Sequence, residues 1–336
     1  MTVATAQTTV LQLIGDGDEY AAVELVLGLL ADGVPPRRIL VDLIGRTQEQ
    51  VGALWAAGEW SIAREHAATA VSERAVSAIA AQTRVRPTRG RVVIACADGE
   101  WHALPVRILA EMLRLDGWRT DFLGASVPGP HLVTHLHQTG PDAVALSCML
   151  ATRLPRAHAA ITACRSAGVP VIAGGRGFGP GGRYAQHLGA DAWAAGAQEA
   201  VERLAADWPP PIRDPQISAS LGDEEYTHVV RHRPALIGTA MGRLAGDYPA
   251  VRAYDQRQMD ATAEDMGHIV DFLAAALYVG EAQIFTDFVE WTSGVLAARG
   301  VPPAALRAGL LLVRDQLRDY PPALTVIDAG LARAAD

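Results

Sequence analysis

Asp98-Gly99-Glu100-Trp101-His102-Ala103-Leu104-Pro105 separates an apolar run, Val92-Val93-Ile94-Ala95-Cys96-Ala97, from a helical pattern that starts at Val106. An imidazole two residues after a carboxylate can serve as a metal ligand: Glu100 accepts the proton of one ring nitrogen of His102, and the other nitrogen is left to bind. A lone histidine at a strand end is more often structural, so the reading depends on what else reaches the same place. Leu146-Ser147-Cys148-Met149 ends another apolar run with a small hydroxyl, and Gly174-Gly175-Arg176-Gly177-Phe178-Gly179 removes side chains where something bulky must pass close to the backbone. A phosphate cradle of the dinucleotide type is the other use of such glycines, but that fingerprint follows a first strand and these follow a fourth. Upstream, VGALWAAGEWSIAREH sets nine residues between Trp55 and Glu65-His66. By type, these three suit either bundle core with a solvated polar pair or contacts to a bound group.

The elements that must position these residues follow from periodicity. Residues 1–85 carry Tyr20, Val23, Leu27 and Leu30 at helical spacing and, after the Gly33-Val34-Pro35-Pro36 break, Ile39, Leu43 and Leu54, which predicts a helical bundle. Arg84 to Arg91 is polar, holds Pro87 and Gly90, and reads as a linker. Over residues 90–211, short apolar strands at 92–97, 120–124, 143–148, 170–174 and 192–196 alternate with helical stretches, predicting a parallel sheet covered on both faces. Ligands of such sheets bind beyond the carboxyl ends of the strands, at a topological switch point, and His102 would lie there. After Trp208-Pro209-Pro210-Pro211 the alternation stops. Stripes through Phe272, Leu273, Ala276 and Leu277, then Ile284, Phe285, Phe288, Val289, Trp291 and Val295, predict an all-α domain over residues 215–336. The fold class is multidomain α and α/β.

Composition excludes several functions. No apolar stretch among the 336 residues approaches the ~20 that a membrane span needs, and the first twenty residues lack the order of a secretory signal, so a cytoplasmic protein with no membrane partner is expected. Cys96, Cys148 and Cys164 show no C-x-x-C spacing, which argues against a zinc site or disulfide framework and for buried small hydrophobes. A net charge of −8 argues against a nucleic-acid partner, and with no lysine in the chain Schiff-base chemistry on lysine is excluded. His131 and His135 lack the intervening glutamate of a zinc-protease helix and are expected to be exposed.

The three segments around His102 resemble the cobalamin-binding domain of methionine synthase and its relatives, whose pattern is D-x-H-x-x-G, then S-x-L, then G-G. Here it reads Glu100-x-His102-x-x-Pro105, Ser147-x-Met149 and Gly174-Gly175, in the same order. The resemblance implies a flavodoxin-like (Rossmann-type) sheet, with His102 as the lower axial ligand of cobalt and Glu100 as its hydrogen-bond partner. It implies Ser147, beside Met149, as a contact to the displaced dimethylbenzimidazole, and Gly174 and Gly175, continued by Gly177 and Phe178, as the slot for the nucleotide tail. Glutamate for aspartate is a mild departure. Pro105 replaces a glycine that lets the corrin approach, although proline suits the first turn of a helix.

The spacing W-x9-E-H is similar to that of light-sensing adenosylcobalamin proteins of the CarH type. There the tryptophan packs on the 5′-deoxyadenosyl group, so the resemblance assigns Trp55 that role and makes Glu65 and His66 polar contacts near it. Where those proteins carry a histidine directly after the tryptophan, this chain has Ala56, so an upper ligand from that position is excluded. CarH-type proteins also carry an N-terminal DNA-binding domain. This chain starts almost directly with the bundle, so direct repression is not expected.

The three-part order is similar to that of photocobilins, in which a globin-like domain binds biliverdin beside the cobalamin domain. That likeness implies cations for two propionates, offered by Arg231-His232-Arg233, and a polar contact from His268 with Asp265 and Asp271 on one helix face. No cysteine follows Cys164, so a bilin there would be held without a thioether. The expectation is a homo-oligomeric photoreceptor without catalytic turnover, binding adenosylcobalamin and biliverdin, with an unidentified downstream partner. The alternatives are a corrinoid methyl carrier serving a methyltransferase and a light-independent cobalamin sensor.

Overall fold

A computed structural model describes residues 3–206, 208–209 and 224–334. The chain divides into two compact units, Met1–Gln216 and Ile217–Asp336.

The first unit opens with helices α1 (Val3–Asp16) and α2 (Glu19–Ala31). After the short α3 (Pro36–Arg38), a π-helical segment, Ile39–Gly45, runs into α4 (Arg46–Ala56), and α5 (Ile62–Gln82) completes the bundle. Ser61 starts α5 by accepting a hydrogen bond from the Arg64 amide at 3.2 Å, an ordinary serine cap. Val26, Leu29, Ile39, Leu40, Leu43, Val51, Val76 and Ile79 form the bundle core.

Five parallel strands follow: β1 (Arg91–Cys96), β2 (Arg119–Gly124), β3 (Ala143–Ser147), β4 (Val171–Gly174) and β5 (Ala192–Ala194), in the order β2-β1-β3-β4-β5. The helices between and after them are α6 (Leu104–Leu115), α7 (Gly129–Thr139), α8 (Leu154–Ser166), α9 (Arg183–His187) and α10 (Ala197–Ala206). Strand β3 is buried throughout and β1 along all but its first residue, as expected of strands with helices on both faces. The order reverses between β1 and β3, which makes the space beyond their carboxyl ends the ligand crevice. Register sets Cys96 beside Ser147 and Ser147 beside Gly174, so three of the predicted segments converge there.

Helix α6 joins bundle and sheet. Its residues Leu104, Val106, Ile108, Met112 and Leu113 lie in one core cluster with Ile39, Leu40 and Leu43 of the bundle and Ile94 of β1. Arg37 adds an ion pair to Asp116 at 2.9 Å. Pro105 sits in the first turn of α6, where no amide hydrogen is needed, and is exposed.

The second unit comprises α11 (Glu224–Asp247), α12 (Gln256–Val279), α13 (Gln283–Ala298), α14 (Pro303–Gln316) and α15 (Pro321–Leu331). Asp255 and Gln258 close a reciprocal capping box at the start of α12. Phe272 and Phe288 stack at 4.2 Å, and Phe285 packs against Gly330, where an added Cβ would lie 2.6 Å from its ring. Among the described residues, no helix is long and apolar enough to cross a membrane.

Candidate functional site

His102 lies on the loop between β1 and α6, and that loop is pinned on every side. Ala97 donates to Ser147 O at 2.9 Å, Glu100 N to Ala97 O at 2.9 Å, and Ser126 N to Glu100 O at 2.8 Å. Ser126 holds a positive φ of 48°, rare for a residue with a side chain, and its hydroxyl accepts from Gly99 N at 3.0 Å. The Cys96 thiol reaches His102 O at 3.7 Å.

Within this frame Glu100 is fully buried and saturated with donors. His102 Nδ1 donates to Oε1 at 2.5 Å and the His102 amide to the same oxygen at 3.0 Å. Met149 N and Leu150 N donate to Oε2 at 2.7 and 3.1 Å. Burial alone would raise the carboxyl, but the bonds from the His102 ring and amide, the charge of His102 and the Met149 amide outweigh it and hold Glu100 at about 2. His102 is raised above the usual histidine range, first by its bond to Glu100, against the effect of burial and with the charges of Glu100 and Glu65 adding. With Nδ1 committed, Nε2 is the atom left to ligate, on a side chain that is 55% exposed.

The contribution of Glu65 to His102 brings the bundle into the same site. Glu65 and His66 lie in the first turns of α5, and His66 Nδ1 donates to Glu65 Oε2 at 2.5 Å. Thr69 donates to Glu65 Oε1 at 3.0 Å, and Gln48 of α4 donates to Thr69 Oγ1 at 2.5 Å. A polar chain thus runs from α4 to Glu65. Trp55, near the end of α4, is half-buried. Three large apolar side chains are exposed on the same elements: Trp101 (72%) and Leu150 (38%) on the sheet loops, and Ile62 (60%) one turn before Glu65 and His66. An apolar rim, a carboxylate-backed imidazole and a polar pair on the bundle fit a large, mostly apolar group bound through a metal.

The glycine segment meets the sequence reading only in part. Gly175 has φ 103°, and a Cβ there would run into the Cys148 backbone; a Cβ on Gly177 would lie 2.8 Å from Cys148 O. Gly177 N donates to that oxygen at 3.0 Å. These glycines let the β4 loop close on residues 148–150, the stretch whose amides hold Glu100. Gly174 and Ser147 end neighbouring strands in the crevice. Phe178 corrects the expectation that it lines the slot: it is completely buried, so its ring is sealed beneath the loop as core. Met149 acts through its amide on Glu100.

In the second unit the expected cation cluster is dispersed. Arg233 forms a two-pronged pair with Asp271 at 2.6 and 2.9 Å, which removes both from the set of free charges. Arg231 and His268 are exposed, on α11 and α12. Exposed His232 donates to or accepts at His228 O at 2.9 Å through Nδ1, a backbone oxygen, so Nδ1 is the donor, and its ring stacks on His228 at 4.1 Å. His135 corrects another expectation, being half-buried with Nε2 3.1 Å from Asp121. All three cysteines are buried. Sequence reasoning passed over Ser126, the Leu150 amide and Arg153. None belongs to a short motif, although Arg153 stands six residues after Ser147.

The class defined by this geometry is a corrinoid-binding module: a helical cap, a flavodoxin-like sheet and a carboxylate-backed histidine at the switch point. Comparison with known proteins agrees. Residues 90–205 match the B12 binding domain family, and residues 6–80 match a second family also described as a B12 binding domain. The chain therefore carries B12-binding domains, which indicates a corrinoid cofactor. It is 34% identical over 154 residues to the HTH-type transcriptional repressor CarA of Myxococcus xanthus, covering 44% of this chain and half of the repressor. It is 25% identical over 203 residues to the trimethylamine corrinoid protein of Methanosarcina barkeri, covering 58% of this chain and 93% of that one. The solved monomethylamine corrinoid protein of Methanosarcina barkeri superposes with a TM-score of 0.52 at 20% identity, over 58% of this chain and 94% of that one, a likeness of fold.

Proposed function

We propose that this protein is a light-responsive adenosylcobalamin sensor that works without turnover, as a homo-oligomer. The observation that carries the reading is the approach of Glu65 to His102, close enough to bias its protonation, which puts the Trp55, Glu65 and His66 constellation of the bundle across from the imidazole. Similarity to CarA, a transcriptional repressor, supports a regulatory role. Adenosylcobalamin supplies a cobalt–carbon bond that light can break. The rest falls to the chain: His102 would hold cobalt through Nε2, Glu100 would keep that imidazole oriented, and Trp55, Glu65 and His66 would face the adenosyl group. Once adenosyl is gone, Trp55 loses its packing partner, and emptying a cavity of side-chain size is worth roughly 2–5 kcal/mol. A loss of that size can shift a two-state packing of bundle on sheet only by the contact energy that differs between the states.

The test is size-exclusion chromatography of the full chain with adenosylcobalamin, before and after green light. A light-driven change in elution that Trp55→Ala abolishes is expected; elution indifferent to light sinks the sensor reading. A second reading, a methyl carrier, is favoured by the near full-length match to the trimethylamine corrinoid protein. It expects methylcobalamin to bind equally well with Trp55→Ala and no light response. For residues 217–336 the reading is a globin-like domain holding biliverdin non-covalently, supported by the likeness to photocobilins and by exposed Arg231, His232 and His268. A red absorption band on adding biliverdin tests it.

A further inference from the structure

Arg153 closes the short helical turn Ala151–Arg153 and caps the start of α8, on the β3 side of the crevice. Its guanidinium lies flat over the β1 loop: a Cβ built on Gly99 would be 3.4 Å from its Cζ, Nε and Nη1. Nε is buried with no acceptor. The two carboxylates on the loop beneath it are engaged elsewhere, Asp98 by Arg156 at 2.6 Å and Glu100 by the His102 ring and three backbone amides. A guanidinium in a ligand crevice, at a helix start, with a buried donor unmet by the chain, calls for an oxyanion from outside. The corrin amides offer neutral carbonyls. The nucleotide loop of a complete cobalamin offers a phosphodiester.

We propose that Arg153 binds the phosphodiester of the cobalamin nucleotide loop, so that the crevice selects complete cobalamins over corrinoids that lack the nucleotide. This rests on the corrinoid reading of the His102 crevice and adds a residue that discriminates between corrinoids.

Equilibrium dialysis of the full chain against adenosylcobalamin and adenosylcobinamide, which lacks the nucleotide and its phosphodiester, tests it. Arg153→Gln should weaken adenosylcobalamin binding by about 10–100-fold and leave adenosylcobinamide within about twofold. Arg153→Lys, which keeps the charge and loses the fork, should fall between, and added salt should weaken the wild type more than Arg153→Gln. Equal losses for both corrinoids, or no loss for either, overturn the assignment. Calorimetric titration with inorganic phosphate alone should give no Arg153-dependent heat; such heat would assign the guanidinium to a free anion and overturn the proposal. Wild-type protein that binds neither corrinoid would instead bring down the cobalamin reading, and this assignment with it. Unchanged far-ultraviolet circular dichroism of both variants separates lost contact from lost fold.

Discussion

Two carboxylate–histidine pairs face the same site from opposite elements and are built differently. In each, the Nδ1-to-carboxylate distance is 2.5 Å. Glu100 has no exposed surface and takes four hydrogen bonds, three of them from backbone amides of residues 102, 149 and 150. Glu65 leans on the single hydroxyl of Thr69, and its histidine is 72% exposed. Backbone donors held by a sheet cannot rotate away, whereas a hydroxyl on a helix surface can. The lower pair is preorganised, as a permanent axial ligand requires. The upper pair is free to adapt, as contacts to a leaving group require.

The sharpest way to break this contrast is to remove each imidazole. His102→Ala should cost more than the roughly 10–100-fold that loss of an outer partner costs a metal site, whereas His66→Ala should change corrinoid affinity by no more than about fivefold. Titration followed by visible absorption measures both, and comparable losses would erase the distinction. Next come the carboxylates. Glu100→Gln turns an amide N–H toward backbone N–H donors on one side or the other, so it should cost about 10–100-fold in corrinoid affinity and about 1–3 kcal/mol in stability. Glu65→Gln keeps an acceptor for Thr69 and should cost far less in both assays.

The smallest effect is a pH dependence in the cofactor-free chain. His102 is raised above 6.5, so its bond to Glu100 stabilises the fold fully below pH 6.5 and the contribution is lost as pH rises through the raised value. The melting temperature of the wild type should therefore exceed that of His102→Ala at about pH 6, with the gap narrowing toward about pH 9. A gap that widens over that range would mean the ring is stabilised neutral, contrary to the ion pair described.

Much of the lower pair was legible in the chain because its parts are local. Glu100 and His102 are two residues apart on one tight loop, and an apolar run followed by a helical pattern announces the strand end that carries them. The glycines at 175 and 177 were equally visible, but the reason for them was not: they make room for the Cys148 backbone some thirty residues earlier, a neighbour that only β3–β4 pairing supplies. Phe178 and Arg233 misled for the same reason. An aromatic beside glycines and an arginine beside a histidine look available until folding buries the first and sets Asp271 against the second.

Composition and periodicity alone determined the order of helical cap, alternating sheet and helical C-terminal unit, together with the residue types at the crevice, because helix and strand periods and short motifs are properties of neighbouring residues. Tertiary structure alone decided that Glu65 would lie within electrostatic reach of His102, that residues 149 and 150 would point their amides at Glu100, and that Arg153 would settle over Gly99. Those contacts join residues about 35 to 55 positions apart, and they exist because α6 packs against the bundle on one side and the sheet on the other, a geometry set by burial of shared apolar surface.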